Sequence, residues 1–216
     1  MKILFAIASC QSWEDNGNNQ AVRDTWMKDI PACRVDGYSE CAIDCKFFQG
    51  HGSTPKDDLV IVNAPDDALG IIQKTKAIHI WAYYAGYDFV FQCWPDTYVK
   101  VDLLLKSGFE KYDYLGRVYP DPGPISPHGF LVGGDGWWAS RRASQAIANA
   151  AIITTPQYND GNADDLWAGF VIGEAGLKMV DHPDYGKNIT LHGSVATGGI
   201  GTYKKEWMYK TYDNRR

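Results

Sequence analysis

Apolar positions gather in three runs within the first hundred residues, at 2–9, 59–62 and 89–91. Each run is short, rich in β-branched or aromatic residues and bounded by polar or turn residues, which is typical of a buried strand. The polar loop 11–19 separates the first run from a helix that we predict over about 20–29. The chain therefore opens with strands that alternate with helical segments.

A second helix is predicted between the Pro65-Asp66-Asp67 turn and Gly86, with Asp66 or Asp67 as its N-cap. Apolar and small residues recur there at three- and four-residue steps, as on one face of an α-helix: Ile71, Thr75, Ile78, Ala82 and Ala85. The order strand, helix, strand, helix, strand predicts an α/β fold with a mainly parallel central sheet and helices on both of its faces.

The second half of the chain has a different character. A strand is predicted over 112–118, followed by a Pro- and Gly-rich segment. Residues 133–138 then place glycines beside two tryptophans. Glycine at such a position lets the backbone approach either a ligand or a neighbouring helix, and the pattern leaves both open.

Three helices are predicted after this glycine-rich segment. Ser140 is positioned to cap one that runs to Ala150 or Ala151. The Asp164-Asp165 pair opens another that contains residues 167–174, and a polar-aromatic helix ends the chain after the glycine-rich loop 196–201.

Composition narrows the class of protein. With 216 residues the chain is long enough for one domain with a proper core. A net charge of −5 argues against a nucleic-acid duplex as partner. The odd cysteine count has no metal-binding spacing and favours free thiols in a reducing compartment: Cys10, Cys33, Cys41, Cys45 and Cys93. No run reaches the roughly 18 apolar residues of a membrane span, so we expect a cytoplasmic protein without a stable membrane anchor.

The first candidate for chemistry is Asp96. It follows the apolar run 89–91 and Pro95, just beyond a predicted strand. Ligands of open α/β sheets collect beyond the carboxyl ends of the strands, where a carboxylate holds a cation or a sugar hydroxyl. The alternative is a turn aspartate after a proline.

Three features distant in sequence could meet at this edge of the sheet: Asp96, the Asp164-Asp165 pair and His192. One Asp and one His provide two ligands, enough for a divalent cation that keeps open positions for a diphosphate. A carboxylate at the start of a helix could act as a general base toward a hydroxyl, or simply cap the helix. Neither a GxGxxG sequence after the first strand nor a Walker loop is present, which argues against a dinucleotide-binding Rossmann fold.

Six segments occur in an order that resembles a known family. They are Gln20 to Trp26 with its Arg-x-Thr-Trp pattern, Asp58 to Thr75, Asp96 to Leu104, Tyr114 to Val118, Gly133 to Ser140, and Asp164 to Gly169. This order resembles the GT-A glycosyltransferases, in particular the β-1,3-galactosyltransferase and Fringe-like group (glycosyltransferase family 31). The resemblance covers roughly residues 2–195.

The metal motif departs from the family pattern. The family has three successive aspartates (a DxD-type motif), whereas this chain has Trp94, Pro95 and Asp96. The loss of two carboxylates removes charge around the cation, and Trp94 could instead stack on the nucleotide or the donor sugar. The chain also lacks the family's luminal anchor and stem, from which we expect a bacterial or viral enzyme.

The resemblance implies a single GT-A domain, with a nucleotide-binding half over about 1–100 and an acceptor-side half with a C-terminal lid over about 101–216. It implies a UDP-sugar donor, a glycan or glycoconjugate acceptor and Mn²⁺ or Mg²⁺ held by Asp96 and His192. Asp165 would deprotonate the acceptor hydroxyl and invert the anomeric centre, with Asp164 as second choice.

The resemblance also suggests the rest of the site. The residues expected near the nucleotide are Ser9, Cys10, Arg23, Lys74 and Trp94. Those expected at the sugar pocket are Gly134, Asp135, Gly136 and Trp137, and those expected at a lid over the phosphates are Gly198, Gly199 and Lys204. Three alternatives stay open: a retaining transferase, a metal-independent one that uses Lys204 or Lys205, and a non-catalytic module that binds a sugar or nucleotide with a decayed metal site.

Overall fold

The computed structural model describes residues 1–32, 35, 41–67, 69–119, 127–152, 164–193 and 205–214. Within these ranges the chain forms a seven-stranded sheet and a two-stranded sheet. The strands are β1 (Lys2–Ala8), β2 (Ala42–Gln49), β3 (Leu59–Ile61), β4 (Phe89–Cys93), β5 (Thr97–Val99), β6 (Tyr114–Gly116), β7 (Trp137–Ser140), β8 (Met179–Asp181) and β9 (Thr190–His192).

The large sheet has the order β3-β2-β1-β4-β7-β6-β8. Neighbouring strands pair in parallel except on the two sides of β7, which runs opposite to the other six. The prediction of a mainly parallel α/β sheet is therefore confirmed. Because β7 is antiparallel, its first residue lies at the same edge as the carboxyl ends of β4 and β6. That edge is where ligands collect in open α/β sheets.

Helices cover both faces of this sheet. They are α1 (Gln11–Asp15), α2 (Asn18–Asp24), α3 (Ile71–Tyr84), α4 (Val101–Leu105), α5 (Arg141–Asn149), α6 (Asp164–Glu174) and α7 (Lys205–Asp213). Shorter 3₁₀ segments are Trp26–Ala32, Phe109–Lys111 and Gly133–Asp135. The sequence correctly predicted the helices α3, α5, α6 and α7, while the predicted helix 20–29 is in fact α2 followed by a 3₁₀ segment.

Alternate residues of β1 explain why both faces are covered. Ile3, Phe5 and Ile7 are buried on one side, in a cluster that includes Trp26 and Met208. Leu4, Ala6 and Ala8 are buried on the other side, where α3 packs. A strand that is apolar at every position must be buried on both faces, which is the pattern of a central strand in a parallel sheet.

The N-cap of α3 differs from the prediction. The helix begins after Gly70, so neither aspartate of the preceding turn caps it. Asp66 instead accepts hydrogen bonds from the backbone N–H groups of Gln11 and Gly50, at 2.6 Å each. Asp66 therefore ties together the loops that follow β1 and β2.

Among the described residues, no helix combines the length and apolar character needed to cross a membrane.

Candidate active site

The two-stranded sheet brings Asp96 and His192 together. Strands β5 and β9 pair antiparallel, with Thr97 opposite His192, and the N–H of Gly193 donates to the Asp96 carbonyl at 2.8 Å. The side chains meet as a result: His192 Nε2 lies 3.0 Å from Asp96 Oδ2. The two residues predicted as metal ligands are thus adjacent in space, although 96 positions separate them in the chain.

The environment of this pair suits a cation. Burial lowers the pKa of His192, but the hydrogen bond and charge of Asp96, together with the charge of Asp135, outweigh burial and leave that pKa raised. Asp96 Oδ1 is buried and has no hydrogen-bond partner among the described residues. An imidazole nitrogen beside an unsatisfied carboxylate oxygen fits a divalent cation that takes its other ligands from a diphosphate. No group of three or more His, Cys, Asp or Glu side chains suited to a metal occurs in the described part of the chain.

Asp135 forms a second charged pair beside His192. Its side chain is 1% exposed, and Arg117 Nε lies 2.5 Å from its Oδ2. Burial raises the pKa of Asp135, while Arg117 and His192 lower it, and the net shift is upward. Gly186 leaves space for this carboxylate, since a Cβ there would lie 2.7 Å from Asp135 Oδ2. We predicted Asp135 for the sugar pocket but missed Arg117, whose only signal was its place in the segment 114–118.

Gly134 makes room for His192. A Cβ built at Gly134 would lie 2.5 Å from His192 Cε1, so only glycine allows the ring to occupy its position. The carbonyl of Gly134 accepts a hydrogen bond from Thr97 Oγ1 at 2.9 Å, which joins this loop to β5. The glycine therefore serves a close approach, though to a side chain of the site itself.

Asp165, the second residue of α6, contacts the adjacent glycine, Gly133. Asp165 Oδ2 accepts from the N–H of Gly133 at 3.1 Å and its Oδ1 accepts from Leu166 N at 2.8 Å. Gly133 precedes Gly134, on which the His192 ring packs. The half-buried carboxylate of Asp165 and the His192 ring thus contact neighbouring glycines of one loop, and the role of Asp165 as a catalytic base stays a prediction.

Asp164 is buried rather than presented to a ligand. Its Oδ2 accepts a hydrogen bond from Thr75 Oγ1 at 3.0 Å, and Gln92 Nε2 donates to the same Thr75 hydroxyl at 2.9 Å. Burial and the neighbouring charge of Asp165 raise the pKa of Asp164. This carboxylate links α6 to α3 and β4, so Asp165 is the better candidate for contact with an acceptor.

Lys74 has a structural role that the sequence did not indicate. It is 2% exposed, and its ammonium donates to the Ser9 carbonyl and lies 3.4 Å from Asp66. The Ser9 hydroxyl in turn donates to Asn19 Oδ1 at 2.7 Å. The prediction that Lys74 contacts a nucleotide is therefore corrected: Lys74 shapes the loop after β1 from within.

The Arg23 side chain likewise forms ion pairs within the protein. Its guanidinium lies 2.8 Å from Glu14 and 2.6 Å from Asp58, and it stacks over the Phe47 ring at 4.5 Å. Burial raises the pKa of Glu14, but hydrogen bonds from Arg23, Lys56 and Asn19 outweigh it and lower the pKa to about 2. This cation connects α1, α2 and the start of β3, and its nucleotide-binding role stays a prediction.

Two predicted residues of the sugar pocket belong to the core instead. Trp137 is 0% exposed and packs in a cluster with Tyr114 and Leu131. Gly136 has φ of +73°, and a Cβ there would lie 2.5 Å from Phe91 Cζ. The prediction for Trp137 is wrong, since an apolar side chain in β7 faces the core; Gly136 allows close packing against β4.

The remaining predicted residues have different outcomes. Trp94 is half-buried against the cluster beside α3, and its backbone N–H donates to Thr97 Oγ1 at 3.3 Å. Cys10 precedes α1, with its sulfur 3.1 Å from Ser12 Oγ. Their roles beside a nucleotide stay predictions. Three further predicted residues lie outside the described residues: Gly198, Gly199 and Lys204. Lys205, the other lysine considered as a substitute for a metal, donates to the Asn16 carbonyl at 2.9 Å.

Comparison with known proteins gives no family. No family model matches the chain, and no curated protein matches it. The solved structures that are similar to it include two of the galactosyltransferase LgtC. A crystal structure of galactosyltransferase LgtC in complex with donor and acceptor sugar analogs is 10% identical with a TM-score of 0.47, over 85% of this chain and 74% of that one. An active-site mutant of LgtC is 11% identical with a TM-score of 0.48, over 98% and 96%. Similarity at this level leaves the function to be inferred from the residues of the site.

Proposed function

We propose that the chain is a glycosyltransferase that moves a sugar from a UDP-sugar to a hydroxyl group of a glycan or glycoconjugate. The observation that carries this proposal is the placement of three groups at the carboxyl edge of the sheet. Asp96 and His192 form a pair suited to a cation, and Asp165 lies on the neighbouring glycine. A charge-neutralising centre with a carboxylate near it is what transfer from a nucleotide diphosphate to a hydroxyl requires.

The donor side depends on Asp96 and His192. These two residues would hold Mn²⁺ or Mg²⁺, which when bound neutralises the charge that builds on the leaving diphosphate. The remaining residues keep the pair in place. Gly134 gives the imidazole its position, and Asp135 lies near enough to His192 to raise its pKa while Arg117 balances the Asp135 charge.

The acceptor side depends on Asp165. Its carboxylate accepts the proton of the acceptor hydroxyl, whose oxygen then attacks the anomeric carbon of the donor. The N–H of Gly133 fixes the carboxylate, so its orientation does not depend on the acceptor. In-line attack by this oxygen, as the diphosphate leaves on the opposite side, inverts the configuration. A retaining reaction stays the alternative if Asp165 does not reach the acceptor.

A non-catalytic module that binds a nucleotide sugar is the second candidate. The observation in its favour is the pair of non-acidic residues, Trp94 and Pro95, directly before Asp96. Such a module would bind UDP and release no sugar. The two functions therefore agree on nucleotide binding and differ on turnover.

Calorimetric titration of UDP, with and without Mn²⁺, tests the shared donor site. We expect binding that needs the metal and that weakens roughly 100-fold in Asp96→Ala, as for the loss of a metal-site residue. Asp102→Ala is the matched control, because Asp102 is an exposed carboxylate on α4. Absence of UDP binding under either condition, or equal binding by Asp96→Ala, would refute a UDP-dependent site built on Asp96.

A further inference from the structure

Tyr119 and Phe130 form a stacked aromatic pair beside the site. Their ring centroids lie 5.0 Å apart with an interplanar angle of 19°. Tyr119 is 47% exposed, so a large part of an aromatic side chain faces solvent. We call this pair the aromatic platform.

The platform stands on a backbone ribbon that continues β6 beyond the edge of the sheet. Tyr119 N–H donates to the Phe130 carbonyl at 2.9 Å, and Val132 N–H donates to the Arg117 carbonyl at 2.8 Å. Residues two apart in an extended strand point to the same face, at a separation of about 6.6 Å. The platform therefore shares a face of the ribbon with Arg117, which pairs with Asp135 beside His192.

Helix α6 fixes the platform on a second side. A Cβ built at Gly169 would lie 2.5 Å from the Gly129 carbonyl oxygen and 2.7 Å from Phe130 Cβ, so the ribbon presses directly on the helix at this glycine. Gly169 comes four positions after Asp165, which is about one helical turn, or roughly 6 Å along the axis. The platform and the proposed base thus lie one turn apart on one side of α6.

Core packing does not account for the exposed ring. On the same ribbon Val118 and Leu131 pack in the cluster beneath α5 and α6, whereas Tyr119 is outside that cluster. An exposed aromatic face binds the apolar C–H face of a pyranose, and its hydroxyl can stay in water. The hydrogen bonds of the ribbon that carries Arg117 and the contact of Phe130 with α6 connect the platform to the elements that carry Asp135 and Asp165.

We propose that the aromatic platform binds a pyranose ring of the acceptor by stacking, with a hydroxyl of that sugar directed toward Asp165. The assignment of this sugar as the acceptor rests on the proposed glycosyltransferase function, whereas stacking itself requires no transfer. Tyr119 would supply the exposed ring, and stacking on Phe130 would fix the orientation of that ring.

Sugar binding without nucleotide tests the platform directly. The probes are methyl β-D-galactopyranoside, methyl β-D-glucopyranoside and the methyl β-glycoside of N-acetylglucosamine, each titrated by saturation-transfer NMR. We expect wild-type protein to bind at least one probe through its ring C–H protons. Tyr119→Ala should raise the dissociation constant about 3- to 10-fold, as the loss of an aromatic contact predicts. Tyr119→Phe should bind as the wild type does, because the ring face and not the hydroxyl makes the contact.

Two further variants make the result specific. Tyr119→Leu keeps an apolar side chain over Phe130 without an aromatic face and should bind as weakly as Tyr119→Ala. Tyr84→Ala is the matched control, since Tyr84 is 82% exposed and lies at the end of α3, before β4 begins. The platform is overturned if no probe binds wild-type protein, or if both Tyr119→Ala and Tyr119→Leu bind as wild type does.

Titration of UDP with Mn²⁺ into the same variants separates this inference from the proposed function. Tyr119→Ala should retain the wild-type affinity for UDP. Sugar binding that depends on Tyr119, together with no UDP binding by any variant, would keep the platform and refute the transferase. Normal UDP binding, together with sugar binding that does not depend on Tyr119, would refute the platform and keep the transferase.

Discussion

Individual residues of the site follow from simple rules about residue type and position. Asp96, His192 and Asp165 were predicted because carboxylates and imidazoles that follow strands or begin helices meet at the carboxyl edge of an α/β sheet. The internal partners of Lys74 and Arg23 were not predicted, since a sequence does not show whether a cation contacts a ligand or a buried carbonyl or carboxylate. Burial decides this, and burial depends on packing between elements distant in the chain.

Gly134 offers a test of the Asp96–His192 geometry. In Gly134→Ala the new Cβ would lie 2.5 Å from the His192 ring, so the ring must leave its present position beside Asp96. We expect Mn²⁺-dependent affinity for UDP to fall about tenfold or more, because residues that orient a metal ligand contribute this much. The melting temperature should fall by only a few degrees, as for a modest overpacking.

Gly133→Ala is the adjacent control. A Cβ there would meet its nearest atoms at 3.4 Å, which is ordinary van der Waals contact. Calorimetry should show wild-type UDP affinity for this variant. Equal affinity in Gly134→Ala and wild type would contradict the claim that the position of His192 matters for the donor.

The buried side chain of His79 leads to a prediction of how the free energy of unfolding depends on pH. The side chain is 0% exposed, and burial lowers its pKa to about 3, against a weaker opposing effect of Gln92. The unfolded chain binds a proton at this residue below its ordinary pKa of 6.5 and the folded chain does not, so the free energy of unfolding falls as pH decreases from 6.5 toward 3. Well below pH 6.5 the slope from this group is about 1.4 kcal/mol per pH unit.

Denaturant unfolding from pH 7 to pH 4 measures this effect. His79→Gln, which cannot gain the proton, should lose that part of the slope whatever its stability at pH 7. His51→Gln replaces an exposed histidine and should keep the wild-type slope. A His79→Gln slope equal to that of wild type would show that His79 is protonated in the folded state.

At the scale of elements, the sequence predicts those with strong local signals. The capped helix α5 and the apolar strands β1 and β4 were recognised because cap residues and apolar runs are local features. Strand β2 was missed because Asp44 and Lys46 interrupt its apolar pattern, although it pairs with β1 from Ala42 to Phe48. The cap of α3 was misplaced because Asp66 bonds to two other loops.

The cap of α5 gives a test at this scale. Ser140 Oγ accepts a hydrogen bond from Ala143 N at 3.3 Å and donates to Asp113 at 2.6 Å. Replacement by alanine leaves an N–H of the first turn without its partner, at a cost of about 1 kcal/mol. Differential scanning calorimetry of Ser140→Ala should show a melting temperature lower by roughly 2–4 °C.

Ser107→Ala serves as the control for that measurement. The Ser107 hydroxyl donates to the Leu104 carbonyl one turn earlier and caps no helix N-terminus. Its loss should lower the melting temperature less than the loss of Ser140. A Ser140→Ala protein as stable as wild type would mean that Ala143 N–H finds water or another partner instead.

At the scale of the whole molecule, the fold brings the site together through contacts that no local pattern reports. The pairing of β5 with β9 joins residues more than ninety positions apart and brings His192 beside Asp96. Arg117 reaches Asp135 because β6 and β7 are neighbours in the sheet. The α/β class was predictable from the order of elements. The pairings were not, because they join short strands that are distant in the chain.

The central claim is that this assembled site transfers sugar. Release of UDP from a panel of UDP-sugars, with Mn²⁺ and a mixed glycan acceptor pool, measures it most directly. We expect wild-type protein to release UDP from at least one donor, Asp96→Ala to release none, and Asp165→Asn to be slower by about 10²- to 10⁴-fold, as for the loss of a general base. Asp102→Asn should match wild type. A wild-type protein that binds UDP with Mn²⁺ yet releases none from any UDP-sugar would contradict the claim and identify a binding module instead.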